Sequence, residues 1–467
     1  MSPDKFLSIL NKDQVISGAE LADRYSHIWK MGEALDVRAL LLPETTEQVS
    51  AIMSLCHKHQ QSVTVHGGLT NLVGGTESRP EDVVLSLERM SRIEEVDVTS
   101  RSMTVQAGVI LQDVQEAASA KSLLFPLNFG AKGSAQMGGV ISSNAGGLRV
   151  FRYGMTRQLV LGLEVVLADG TVISNLKKII KDNSGYDLKQ LFIGSEGTLG
   201  IVTRAVLKLV EQPSSRCSAF AGINDYNNVI ALLKHLDAGS AGKLSGYELI
   251  WERTYRAMTA PATGTRPPVN YGYSYYVLIE LLGNSQQEDE QLLQDLMADA
   301  FEKKLIEDAA LTASVADLEW FWRIREDVHA FVSLCTFDQH FDVSLPPGEI
   351  GGYVDAVIAQ LGVVEGVDHI FPFGHVADGN VHFVIGKANA SDALRKQINS
   401  VIYNPLRALK GSVSAEHGIG LHKKDYLDIS RSPAEIALMK KIKHALDPSN
   451  ILNRGRIIDM GHKDQTD

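Results

Sequence analysis

The chain is poor in cysteine, in runs of one charge and in long apolar stretches, and each shortage removes a class of protein. Its three cysteines, Cys56, Cys217 and Cys335, are odd in number and far apart, with no CxxC pair. Disulfide frameworks, iron–sulfur clusters and zinc fingers need paired or closely spaced thiols, so a reducing compartment fits best. No block of Lys or Arg stands out and the net charge is −11, which argues against a nucleic-acid footprint. No apolar run is long enough to span a bilayer, so no transmembrane segment is expected. "MSPDKFLSIL" lacks the basic start and longer apolar stretch of a signal peptide, and the expected location is cytoplasmic. GxGxxG is missing, and no Gly-Lys-Ser/Thr follows a glycine-rich loop; neither a Rossmann site nor a Walker A loop is indicated.

With 467 residues the chain has length for two or three domains and a large core. "ALLL" at 39–42 reads as a buried strand ended by Pro43, and Thr45 with Gln48 as a capping box. Val49, Ile52, Met53 and Cys56 then form the one-sided apolar stripe of a helix. "SVTVH" at 62–66 alternates as a strand and runs into a glycine-rich loop. Further strands are expected at 83–87 and 102–108, a helix near 111–122, and a hairpin over 159–173 turning on Asp169-Gly170. "QLFIGSEGTLGIVTRAVLKLV", 190–210, reads as strand, glycine turn, strand. After Pro213 the texture changes. Helices are expected near 225–237, 285–304, 316–334 and 350–361, with a strand at 273–281.

What is abundant is glycine, grouped. "HGGLTNLVGG" holds four glycines in ten residues directly after a strand. Exposed backbone amides in such a loop can form a nest for a phosphate or pyrophosphate; the plain alternative is a surface turn. Seven glycines lie between Gly130 and Gly154, with Ser134, Asn144 and Arg149 among them. "IGSEGTLGIV" adds a third glycine turn carrying one carboxylate, Glu196. Three separated glycine-rich segments are too many for turns alone and suggest one long cofactor threaded between two subdomains.

"FGHVADGNVHF" sets His375 and His382 either side of Asp378-Gly379. A two-residue loop there pairs His375 with His382, Cβ atoms about 5 Å apart on one face, a spacing suited to two ligands of one metal ion. A half-exposed pair of strand histidines is the bland alternative.

Taken together, "HGGLTNLVGG", "GAKGSAQMGGVISSNAGGLRVFRYG", "KDNSGYDLKQLFIGSEGTLGIVT", "GHVADGNVH", "SAEHGIG" and "LDPSNILN" resemble the vanillyl-alcohol oxidase superfamily of FAD enzymes. Within it the chain resembles the D-2-hydroxyglutarate and D-lactate dehydrogenases, which carry an FAD-linked oxidase C-terminal domain. The resemblance implies an α+β protein: a two-subdomain FAD-binding domain over 1–210, an α+β substrate-binding cap over 211–415, and a short helical C-terminal segment, 416–467, contributing to the active site. It implies that Gly67, Gly68, Leu69, Thr70 and Asn71 hold the FAD pyrophosphate. Gly133, Ser134, Gly138, Asn144 and Gly147 would line the cofactor channel, with Glu196 and Ile201 near the flavin or its adenosine. FAD is expected to be non-covalent, and His66, just before the loop, is the histidine to check for a covalent link.

The resemblance further implies a divalent-metal site at His375, His382 and Glu416, suited to Zn²⁺ and open to Mn²⁺, Co²⁺ or Fe²⁺. His417 is then the general base, its imidazole available in the neutral form near pH 7. Oxidation of a D-2-hydroxy acid would remove the hydroxyl proton and pass the Cα hydride to flavin N5, with the metal gripping the substrate's oxygens. Glu416 and His417 are adjacent and would face opposite ways on a regular strand, so the backbone must turn; Gly418 suits that.

For the substrate, Arg325 matches a family position that clamps a carboxylate, a task suited to a guanidinium; a helix-surface ion pair is the alternative. His329, His340 and Val384 stand where hydroxyglutarate enzymes carry threonine, lysine and asparagine, so D-2-hydroxyglutarate, D-lactate or a related D-2-hydroxy acid remains open. A metal-independent FAD alcohol or sugar oxidase using O₂ would share the first half but has no need of the metal set, and nor does an electron-relay subunit. Nothing resembles a nicotinamide site, so electron-transferring flavoprotein or a quinone is the expected acceptor, and a homodimer the expected assembly.

Overall fold

The structure, a computed structural model, describes residues 1–461. It divides into two compact units, 1–146 with 154–212 and the chain from 416 onward, and 147–153 with 213–415. This division differs from the sequence reading in two ways. Residues 147–153, inside the second glycine-rich region, pack with the cap. The segment from 416, expected to pack on both other parts, groups with the first unit, and 462–467 lie outside the described residues.

In the first unit, strand Ala39–Leu41 leads through helix Thr46–Lys58 to strand Val63–His66, and both strands pair in parallel with Val83–Ser86 between them. Thr45 caps the helix by accepting from the Gln48 amide, and Val49, Ile52, Met53 and Cys56 are all buried, as the stripe required. Gln48 accepts from the Glu44 amide and not from Thr45, so only half of the capping box forms. A separate five-stranded antiparallel sheet runs in the order Ile93–Asp97, Ser102–Gln106, Ile201–Lys208, Val160–Val166, Val172–Asn175. Its last two strands form the expected hairpin around Asp169-Gly170. The stretch before the third glycine turn is not a strand. Lys189–Phe192 is a helical turn, and Phe192 and Ile193 are buried in the sheet's core.

The second unit is built on a seven-stranded antiparallel sheet: Asp308–Leu311, Ser215–Ile223, Tyr275–Gly283, Leu244–Trp251, Val367–Gly374, Asn380–Lys387, Phe337–Ser344. One face carries Phe220, Ile250, Tyr276, Phe373 and Val384, covered by side chains from helices Glu252–Met258, Val315–Glu326 and His329–Val332. The last two were expected as one helix over 316–334; the chain breaks at Asp327-Val328. Within the 147–153 segment, Arg149 pairs with the fully buried Glu280 (3.2 Å) and Arg152 donates to the Leu282 carbonyl (2.6 Å), which fastens this segment to the cap.

Candidate active site

The loop after Val63–His66 borders a cavity of about 380 Å³ in the first unit, lined by Gly67, Gly68, Leu69, Ser134, Gln136 and His66 among others. Gly68 has no room for a side chain: a Cβ would stand 2.0 Å from the Ser134 carbonyl oxygen. Leu69 takes a left-handed φ of 57°. Asn71 knots the loop, its Oδ1 accepting from the Val73 and Gly75 amides and its Nδ2 donating to Thr76 (2.8 Å). Opposite, the buried Gln136 Oε1 has no hydrogen-bond partner among the described residues. A glycine cradle facing an orphaned polar oxygen fits a ligand rich in polar edges, as FAD is.

His66 is buried, and its Nε2 lies 2.8 Å from the Thr76 carbonyl oxygen, which only a protonated nitrogen can satisfy. Burial pushes this imidazole down to about 4, so it is neutral near pH 7.

The other expected cofactor residues are dispersed within the fold. Gly138 allows its helix to approach Ala107, where a Cβ would come within 2.9 Å, and Gly133 sits by Gln112. Asn144 ends helix Met137–Ser143 in a left-handed conformation and accepts from the Arg157 amide. Gly147 belongs to the segment fastened to the cap, and Ile201 is a core residue opening its strand. The Glu196 carboxylate accepts from the Ile419 and Gly420 amides at 2.7 and 2.8 Å. Burial raises its pKa against these two donors. Glu196 therefore holds the turn that follows His417.

In the second unit the histidine hairpin forms, but not in the expected register. His382 pairs with Phe373, strand Val367–Gly374 ends before His375, and residues 376–378 make a 3-10 turn closed by Gly379 at φ 86°. A longer loop relieves the two central residues of a tight turn and takes His375 out of the strand. The imidazoles still meet: their centroids are 5.1 Å apart and their planes perpendicular. One ligand atom from each of His375, His382 and Glu416 lies within 4.8 Å of the others. Glu416 is bonded directly to Ala415, whose amide donates to Asp342 (3.0 Å), the residue paired with His382 across the sheet. Gly418 and Gly420, at φ 85° and 53°, turn the backbone directly after Glu416 and His417. Two imidazoles and one carboxylate suit Zn²⁺ or a similar divalent cation. His417 is half-buried.

Arg325 lies in the last turn of helix Val315–Glu326, is 5% exposed, and lies over the Phe373 ring at 4.9 Å. The surface-pair alternative fails: its Nε donates to Glu248 (2.8 Å), a residue that sequence reasoning missed. A lone glutamate inside the apolar run "YELIW" was the available signal. Val384, expected to contact the substrate, is 1% exposed in the apolar cluster with Phe331 and Phe371, so it is a core residue. His340 stands directly opposite Val384 and pairs with Asp338. His329 opens its short helix and is exposed. Asn380 is buried with both amide atoms unpartnered among the described residues, on the same face as His382.

Residues 212–457 match the family of FAD linked oxidases, C-terminal domain, and residues 37–175 an FAD binding domain. A mitochondrial D-2-hydroxyglutarate dehydrogenase of Arabidopsis thaliana is 35% identical over 97% of this chain and 80% of its own length. A putative mitochondrial D-lactate dehydrogenase of Schizosaccharomyces pombe is 35% identical over 96% of this chain and 88% of its own. A D-2-hydroxyglutarate dehydrogenase of Stutzerimonas stutzeri is 32% identical over 97% and 98%. Among solved structures, p-cresol methylhydroxylase superposes with a TM-score of 0.76 at 18% identity, covering 99% of this chain and 97% of that one, a likeness of fold. No helix among the described residues is long and apolar enough to cross a membrane.

Proposed function

The chain belongs to the FAD-linked oxidases related to D-2-hydroxyglutarate and D-lactate dehydrogenases, and from that premise we propose that it oxidises a D-2-hydroxy acid to the 2-oxo acid. The observation that carries this reading is the convergence of His375, His382 and Glu416 within 4.8 Å, tied through Glu248 to the buried guanidinium of Arg325. FAD, when bound, supplies the two-electron acceptor for the Cα hydride. A divalent cation on the two histidines and Glu416 supplies Lewis acidity toward the substrate's carboxylate and hydroxyl oxygens.

The chain's own residues do the rest. Arg325 presents its terminal nitrogens to the substrate carboxylate, since Nε is engaged by Glu248. His417 takes the hydroxyl proton on its imidazole. Glu196 holds the Ile419 and Gly420 amides, so the turn behind His417 keeps its shape. Val384 offers no hydrogen bond to a second substrate carboxylate, which favours a small side chain, and His340 opposite it in the sheet is the group for a polar one. Electrons then leave to electron-transferring flavoprotein or a quinone.

Anaerobic mixing of the purified protein with D-lactate, D-2-hydroxyglutarate and D-malate tests the reading. At least one D acid should bleach the bound flavin, its L enantiomer should not, and prior chelation should slow the bleaching. Bleaching by simple alcohols or sugars, unaffected by chelators, would instead identify a metal-independent oxidase.

A further inference from the structure

Strand Leu244–Trp251 is buried along its whole length. A carboxylate in its middle loses hydration worth several kcal/mol and persists only if charged or hydrogen-bonding partners replace the water. Glu248, 1% exposed, has two such partners, one on each oxygen. Oε1 lies 2.7 Å from His375 Nδ1 and Oε2 lies 2.8 Å from Arg325 Nε. The sheet register explains the first contact. Ile250 pairs with Phe373 and Leu249 with Gly374, so the next residue, His375, falls opposite Glu248 although it has left the ladder. The helix Val315–Glu326 supplies the second contact from its last turn.

An ionised carboxylate only accepts, so His375 Nδ1 carries a proton, and in the neutral imidazole Nε2 is the nitrogen that holds the lone pair. A cation can therefore be ligated only through Nε2, in the plane that Glu248 fixes. The same carboxylate fixes the plane of the guanidinium, which stacks on Phe373, itself 5.2 Å from the His382 ring. One side chain thus orients a metal ligand, and also the carboxylate clamp beside it.

We propose that Glu248 is a positioning residue that couples cation binding to substrate-carboxylate binding. This rests on the reading of His375 as a metal ligand and Arg325 as the clamp. Coupling has a consequence that plain structural support lacks: Arg325, which is no ligand, should influence the affinity for metal with no substrate present. Removing the guanidinium leaves Glu248 with His375 alone, free to turn and carry the imidazole with it.

Zn²⁺ equilibrium dialysis of the FAD-loaded, metal-stripped protein tests the proposal, with Glu248→Gln, Arg325→Met and the double variant beside the wild type. Glutamine cannot accept from both partners, because its NH₂ must face one of them. Glu248→Gln should weaken Zn²⁺ binding about 10–100-fold, the usual cost of losing a histidine's carboxylate partner. It should also raise the KM for the hydroxy acid. Arg325→Met should weaken Zn²⁺ binding several-fold, and this effect should vanish in the Glu248→Gln background. Additive effects on Zn²⁺ affinity would overturn the proposal. If Glu248→Gln fails to retain FAD, Arg325→Met decides alone, and unchanged Zn²⁺ affinity overturns the coupling. His382→Asn separates the two levels. If it leaves Zn²⁺ binding intact, the metal reading falls and the proposal with it. If it abolishes binding while Arg325→Met changes nothing, only the coupling falls.

Discussion

His66→Gln removes a titration while keeping a donor for the Thr76 carbonyl. The imidazole is pushed from 6.5 to about 4 by burial, so as the pH falls the unfolded chain takes up this proton before the folded one does. Stability is therefore lost as the pH drops between those two values, and regained on the way up. With a single site the loss is slight at about pH 7, about 2 kcal/mol at about pH 5, and about 3 kcal/mol once both states are protonated. The glutamine variant lacks this contribution, so its urea midpoint should fall less than that of the wild type between the two pH values. Far-UV circular dichroism in saturating FAD reads the midpoints. Parallel pH dependences would show that His66 is charged or solvated in the folded chain, and the neutral hydrogen bond to Thr76 would be wrong.

Gly68→Ala should reduce bound FAD strongly, read as visible flavin absorbance per chain, because its Cβ would stand 2.0 Å from the Ser134 oxygen. Glu196→Gln replaces one accepting oxygen by a donor facing an amide. It should lower stability by about 1.5–3 kcal/mol and reduce kcat, measured by thermal unfolding and turnover. His417→Gln should lower kcat about 10²–10⁴-fold with FAD and Zn²⁺ content unchanged.

The glycine loop after Val63–His66, the capped helix at 46–58 and the approach of His375 to His382 were legible in the chain, while Glu416 entered only through the family resemblance. Each rests on local rules: positive φ and close approach need glycine, a helix needs its cap and stripe, and a hairpin brings its two arms together. Boundaries were less legible. The stretch from Gln190 was expected as a strand, yet it lies so close to the glycine turn that the helical turn Lys189–Phe192 buries Phe192 equally well.

Sequence alone determined the family, the cofactor and the chemistry of the candidate ligands, because those depend on residue type and spacing along the chain. Only the tertiary structure decided the hairpin register, the fastening of 147–153 to the cap, and the burial of Val384 in the core. It alone exposed Glu248, whose two partners come from residues far away in sequence. Long-range pairing of a buried charge leaves no periodic trace, since what selects a glutamate there is the hydration it loses and the two donors that replace it.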